Sequence, residues 1–272
     1  MAQNTFDTGE AISYGWEKMK THFWPLALSF LVMMLVSGAF GLLAGSFEEG
    51  AKKLTENSPA GMALSTLALL VRLGSYAISA LISAGLINIT LKIYNGEKPE
   101  TADYFKYLFN GWKWVPDMLL AMLILFAGSV ILSLPFIAVG YAKFRPFYVN
   151  DHLQGYGAGA FLMEASKQVL WFSGFLVLGL LILSVLLYFM LRVYFYPYLI
   201  VDKNMTAVQA LKKSWELTRG NFWKMNLFFL ASCGIMLAGS LVCCVGIFAA
   251  VPLVWLATAF VYKKLAGEGL PC

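Results

Sequence analysis

The sequence predicts an all-α protein: a polytopic transmembrane helical bundle of about six spans, with short amphipathic interfacial helices between span pairs. Three observations predict it. Of the 272 residues, 60% are hydrophobic and only 13% are charged, with a mean hydropathy of +0.70. An ordinary soluble domain has roughly 45–50% apolar and about 25% charged residues, so this chain lacks the charge to cover a water-facing surface. Charge-free runs recur at the length a bilayer core requires, about 20 helical residues. A polar, aromatic-flanked segment recurs at the entry to several of these runs. A soluble enzyme, a disulfide-built secreted domain, a disordered chain and a nucleic-acid binder are all disfavoured.

The elements follow in chain order. The first 22 residues carry Asp7, Glu10 and Glu17 before any apolar run. A cleaved signal peptide has instead a basic start and a short apolar core, so the run beginning at Phe23 is expected to remain as an anchor. Spans are predicted at approximately 23–45, 62–91, 117–141, 169–196, 225–244 and 247–263, and the whole of 1–272 reads as one integral membrane domain. The second span is interrupted only by Arg72, and the fourth is expected to run on through Arg192 towards Pro197. The final uncharged run, Asn226 to Tyr262, would be about 55 Å long as one helix, nearly twice the core thickness. It must therefore fold back, and Gly246 and Pro252 are the residues expected to turn it.

Orientation follows from the basic residues outside the spans. One side receives Lys18, Lys20, Lys92, Lys98, Lys106, Lys113, Lys203, Lys212, Lys213, Arg219, Lys224, Lys263 and Lys264, and the other Lys52, Lys53, Lys143, Arg145 and Lys167. Thirteen against five places both termini in the cytoplasm, in a multi-pass protein of the inner membrane. The net charge of +5 is then topological. No basic tract interleaved with aromatics appears, and no nucleic-acid partner is expected.

The recurring segment reads "AISYGWEKMKTHFWP", "ADYFKYLFNGWKWVP" and "ALKKSWELTRGNFWK". Each predicts a short interfacial helix, over 8–21, 101–112 and 206–218. Ile12, Trp16, Met19 and Phe23 fall at i, i+4, i+7 and i+11, and Val208, Leu211 and Trp215 at i, i+3 and i+7, the apolar stripe of an amphipathic helix. Thr206 with Gln209 fits a capping box, and Asp7 with Glu10 a looser one. Trp16, Trp24, Trp112, Trp114, Trp215 and Trp223 are the expected interfacial anchors, since an indole keeps its ring in apolar surroundings and its N–H wet. A weaker fourth copy, "RPFYVND" with Trp171 and Phe172, falls on the opposite face in this topology, so either an inverted copy lies outside or the third and fourth spans are placed differently.

Arg72 and Arg192 are the two intramembrane charges, each costing roughly 2.5–3.5 kcal/mol at mid-membrane on insertion scales. Arg192, close to a span end, is expected to snorkel. Around Arg72, Ser75, Ser79 and Ser83 recur every four residues with Asn88 nearby. The stripe reads as a helix-packing seam or, alternatively, as a polar groove for a headgroup or small solute. Gly41 and Gly45 form a GxxxG that also reads as close packing, and Asp117 is expected to pair with Lys113 one turn earlier. The four cysteines and two histidines show no metal spacing or catalytic arrangement, and no phosphate loop, GxSxG or HExxH is present. No catalytic site, metal or cofactor is expected.

The stretch from Leu187 to Leu230, through Arg192, Pro197, Ala210, Ser214, Trp215, Leu217, Thr218, Gly220 and Trp223, resembles the membrane domain of bacterial glycerophosphodiester phosphodiesterases and related uncharacterised six-span bacterial proteins, best over 187–264. The resemblance implies the membrane module without its enzyme, because that family's chemistry resides in a separate soluble barrel. Two readings stand: a non-enzymatic scaffold, accessory or lipid-organising module, and a transporter or permease for a small solute or lipid headgroup. The bilayer is the expected partner, with a membrane protein or a second copy as candidates.

Overall fold

A computed structural model of the chain describes residues 5–54, 58–97, 111–149, 158–242 and 246–267, with backbone alone over 139–149 and 158–172. The described residues form helices and no strand. In chain order these are α1 (Thr8–Thr21), α2 (Phe23–Lys53), α3 (Pro59–Tyr94), a 3-10 turn (Gly111–Lys113), α4 (Val115–Val149), α5 (Ala158–Val193), α6 (Tyr196–Lys203), α7 (Ala207–Leu217), α8 (Phe222–Leu241) and α9 (Ile247–Ala266). Six helical stretches are long and apolar enough to cross a membrane: α2, α3, the first part of α4, the last part of α5 with α6, α8 and α9.

The predicted helix at 8–21 is α1, and its start is capped as the sequence suggests, with Asp7 Oδ1 accepting from the Glu10 N–H at 2.9 Å. The helix predicted at 206–218 is α7, opened by the Thr206–Gln209 capping box. The one predicted at 101–112 lies outside the described residues apart from the 3-10 turn at its end. Span boundaries shift in two places. The helix of the fourth span, α5, stops at Val193, and Pro197 sits in the first turn of a separate helix, α6, where a missing N–H costs nothing. Of the two residues expected to turn the last hairpin, Gly246 does so as the cap of α9, whereas Pro252 lies inside that helix. An ideal Cβ built on Gly239 would stand 2.7 Å from the Ala250 Cβ, and one on Gly246 2.5 Å from the Gly239 carbonyl oxygen. Only glycines permit the α8–α9 crossing.

The chain divides into two compact units, one of Met1–Ala121 with Arg192–Cys272 and the other of Met122–Leu191. In the smaller unit, Phe136 stacks on Phe175 at 4.2 Å, and its ring lies against Gly179.

The larger unit is built around α9. From Ala250 to Leu265 nearly every residue of this helix is buried. One apolar cluster joins its Ala257, Phe260, Val261 and Tyr262 to Ile87, Leu91 and Tyr94 of α3 and to Phe195, Tyr198 and Leu199. A second joins Leu253 and Leu256 to Met19, Leu26, Ile89 and Ile93.

The face that α1 presents to this core differs from the predicted stripe. Ala11, Gly15 and Met19 are its buried residues, and Trp16 is 47% exposed. A Cβ on Gly15 would lie 2.7 Å from the Leu253 carbonyl oxygen and 3.2 Å from the Ala257 Cβ. Helix α1 thus docks through small residues at backbone distance, the mode used between membrane helices. Beside this contact Tyr14 packs against Phe260 at 4.9 Å and Tyr94 at 5.8 Å. Burial, and secondarily Tyr94, push its phenol well above the ordinary range. By contrast, a Cβ on Gly41 or Gly45 would meet no atom within 4 Å among the described residues, so the GxxxG of α2 is not a packing contact within the described chain.

Gly15→Leu should push α1 away from α9 and lower the apparent thermal midpoint of the detergent-solubilised protein, at a cost of about 1–3 kcal/mol or more. Trp16→Leu on the exposed face should leave the midpoint nearly unchanged. Both are read by fluorescence-detected thermal unfolding.

Candidate functional site

The residues of the family-like motif converge on one junction, where α5 ends and α6, α7 and α9 meet. The carbonyl of Arg192, near the end of α5, accepts hydrogen bonds from Ser214 Oγ of α7 and from Thr218 Oγ1 at its C-cap, both at 3.1 Å. Ser214 Oγ also accepts from the Phe195 N–H at 3.1 Å. Two hydroxyls therefore satisfy both sides of the break at residues 194–195, and the chain can turn there although Phe195 and Ser214 are fully buried. The Arg192 guanidinium lies over the Trp215 ring at 5.3 Å, so its charge is held by a cation–π contact. Ala210 is fully buried beneath α7. Gly220 has φ +86°, which a side chain would strain, and this turn brings Asn221 back to donate to the Thr218 carbonyl at 3.2 Å.

A second part of the junction was not read from the sequence as a unit. Asn204 adopts the left-handed conformation at the end of α6, and its Oδ1 accepts from the Trp114 indole N–H at 3.0 Å. Asp117 Oδ1 accepts from the Ala207 N–H at 2.9 Å, filling an orphan donor at the start of α7. Asp117 thus tethers α7, whereas pairing with Lys113 was expected. The Lys113 ammonium lies over the Trp114 ring. Trp114 itself is buried at 7% exposure and is a core residue, not a wet anchor. Trp24 and Trp223, both 80% exposed, with Trp16 and Trp112 remain on the surface, and Trp215 is half-buried under Arg192.

Beneath this junction lies a buried charge. Lys263 of α9, 4% exposed in its side chain, reaches both carboxylate oxygens of Asp202 at 3.2 Å, and Tyr262 Oη donates to the same carboxylate at 2.8 Å. Next to it Lys264 pairs with Glu10 of α1 at 3.1 Å. The sequence counted Lys263 only as a topological charge. The signal that could have found the pair was Asp202, an acid closing the apolar run YPYLIVD.

The residues of the candidate polar groove, Arg72, Ser75, Ser79, Ser83 and Asn88, all lie on α3. Arg72 pairs with Glu48 of α2 at 2.7 Å. Ser75 Oγ donates to the Arg72 carbonyl and Ser83 Oγ to that of Ser79, so these hydroxyls serve their own helix. Arg72 and Ser83 are eleven residues apart, roughly 16 Å along the axis. Ser83 alone of the group lines a cleft of about 240 Å³, with Thr90, Tyr194, Tyr198, Trp255 and Thr258. Asn88 is half-buried elsewhere on α3. Among the described residues no three of His, Cys, Asp and Glu are grouped to hold a metal.

A family model described as the membrane domain of glycerophosphoryl diester phosphodiesterase matches residues 63–266. None of the curated proteins and none of the solved structures compared with the chain matches it.

Lys263→Met should leave the Asp202 carboxylate with the longer Lys203 contact, at 3.6 Å, and the Tyr262 hydroxyl alone, and cost up to about 3–5 kcal/mol. Adding Asp202→Leu should recover a large part, giving a positive coupling in a double-mutant cycle of detergent-state thermal stability. Additive losses would show that the two charges do not stabilise one another.

Proposed function

The chain belongs to the family of glycerophosphoryl diester phosphodiesterase membrane domains, and from that premise we propose that it is a non-enzymatic scaffold, accessory or lipid-organising module of the inner membrane. One observation carries this reading: several of the polar groups singled out for a solute path are engaged within the protein. Arg72 is held by Glu48, Ser75 and Ser83 by backbone carbonyls of α3, and Arg192, Ser214 and Thr218 by the α5–α7 junction. Such a module acts by presenting surfaces to lipid or to a membrane partner, a second copy included. Both termini face the cytoplasm in this reading, supported by the distribution of Lys and Arg.

The alternative is a transporter or permease, favoured by the cleft that Met33, Ser83, Thr90, Trp255 and Thr258 line. Its volume of about 240 Å³ is below the ~300–1,000 Å³ of ordinary small-molecule sites. That weighs towards the scaffold.

Arg72→Leu and Ser83→Leu separate the two. In proteoliposomes carrying entrapped solutes or fluorescent phospholipids, a scaffold gives no flux above protein-free vesicles for parent or variant. It should also yield a reproducible membrane partner or self-crosslink on in-membrane crosslinking. Flux by the parent that Ser83→Leu abolishes would establish the transporter.

A further inference from the structure

The geometry points to a one-leaflet membrane contact: the α8–α9 hairpin dips into the bilayer from the side of α1 and α6 and turns back before reaching the far surface. This goes beyond the proposed function, which holds or fails whatever the depth of this hairpin.

Three independent observations carry it. The first is what flanks α9. Its C-terminal half runs beside α1, which bears Glu10, Glu17, Lys18 and Lys20: Gly15 lies against Leu253 and Ala257, and Glu10 pairs with Lys264. Across the same stretch Lys263 and Tyr262 bind Asp202. A helix as charged as α1 does not sit in hydrocarbon, so the membrane boundary meets α9 near Leu256. Only Ile247 to Leu256 is left for the bilayer, about 15 Å of a core of ~30 Å.

The second is register against α2. Trp24, 80% exposed and directly after the polar end of α1, marks the boundary on that helix. Phe30 packs on both Phe248 and Trp255, with ring centroids 5.4 and 6.0 Å away. The first turns of α9 therefore lie at a level that α2 reaches only about 10 Å past Phe23. From Phe30, α2 continues to Lys53, roughly 35 Å further. The hairpin tip and the end of α2 are at very different depths.

The third is the chemistry of the turns. The end of α2 and the turn into α3 read FEEGAKKLTENSP, charged as a segment facing water should be, whereas the end of α8, the turn and the start of α9 read LVCCVGIF, without a charged residue. Leu241 and Val242 are 84% and 64% exposed. Such side chains at a loop tip belong in lipid. Backbone there must be satisfied internally: the Gly246 N–H donates to the Val242 carbonyl at 3.3 Å, and the Ala249 and Ala250 N–H groups to the Gly246 carbonyl at 3.1 and 2.9 Å. The glycines Gly239 and Gly246 bring the two arms of the hairpin to backbone distance.

The test uses the full chain in sealed vesicles, with its own cysteines replaced by serine and one cysteine introduced at a time. Lys52→Cys and Lys212→Cys should react with a membrane-impermeant maleimide from opposite faces, and Leu241→Cys should lose labelling from both. A nitroxide attached at Leu241→Cys in detergent, then reconstituted, should be relaxed by oxygen more than by a water-soluble nickel complex. Labelling of Leu241→Cys from the face that labels Lys52→Cys would show a full crossing and overturn the inference. So would labelling from the Lys212→Cys face, or a nitroxide more accessible to nickel than to oxygen.

Discussion

The burial of α9 is the constraint on which the larger unit depends. A helix surrounded on all sides leaves its neighbours no freedom to choose how they approach it. Gly15 is a glycine because the α9 backbone stands where a Cβ would be, and Gly239 is one because Ala250 does. Asp202 sits at the end of α6 because Lys263, one turn from the end of the buried helix, needs a counter-charge. The break between α5 and α6 lies against the same core, since Phe195 must reach Tyr262. The Ser214 and Thr218 hydroxyls make that break tolerable.

The helical, membrane-embedded class was legible because it rests on amounts: how much charge is present, how long each charge-free run is, and where a run exceeds a bilayer. The ends of α1 and α7 were legible for a related reason, since caps are written locally in Asp7, Thr206 and Gln209. Pairing between helices was not. A helical wheel gives weight to large apolar side chains, and so selects Ile12 and Trp16 over Ala11 and Gly15, although closeness of approach requires the small ones. The same bias treated Trp114 as a surface anchor, when the Asn204 side-chain oxygen awaited its indole N–H.

Charges were misjudged in the opposite direction. Arg72 stood out because it interrupts a span, yet a partner on α2 neutralises it. Lys263 drew no notice among the basic residues at a span end, yet it is among the most deeply buried polar groups in the chain. Sequence separation explains both. Glu48 lies 24 positions before Arg72 and Asp202 61 before Lys263, so neither pair leaves a local signature. The motif that carries the family likeness is likewise composed of junction residues. Arg192, Ser214, Thr218 and Gly220 hold a corner of the fold, and their spacing reports architecture and leaves chemistry unspecified.

The position of the hub helix in the chain sets a timetable for synthesis. Helix α1 leaves the ribosome ahead of the other described helices, with Gly15 already shaped for a partner some 240 residues downstream. At about 5–20 residues per second, that partner follows on the order of tens of seconds later. Until then α1 and the near end of α3 carry uncovered apolar faces beside the insertion machinery. A nascent chain of this kind is a client for whatever shields such faces, and its arrest at any point before Leu253 leaves a membrane-bound fragment that quality control can recognise.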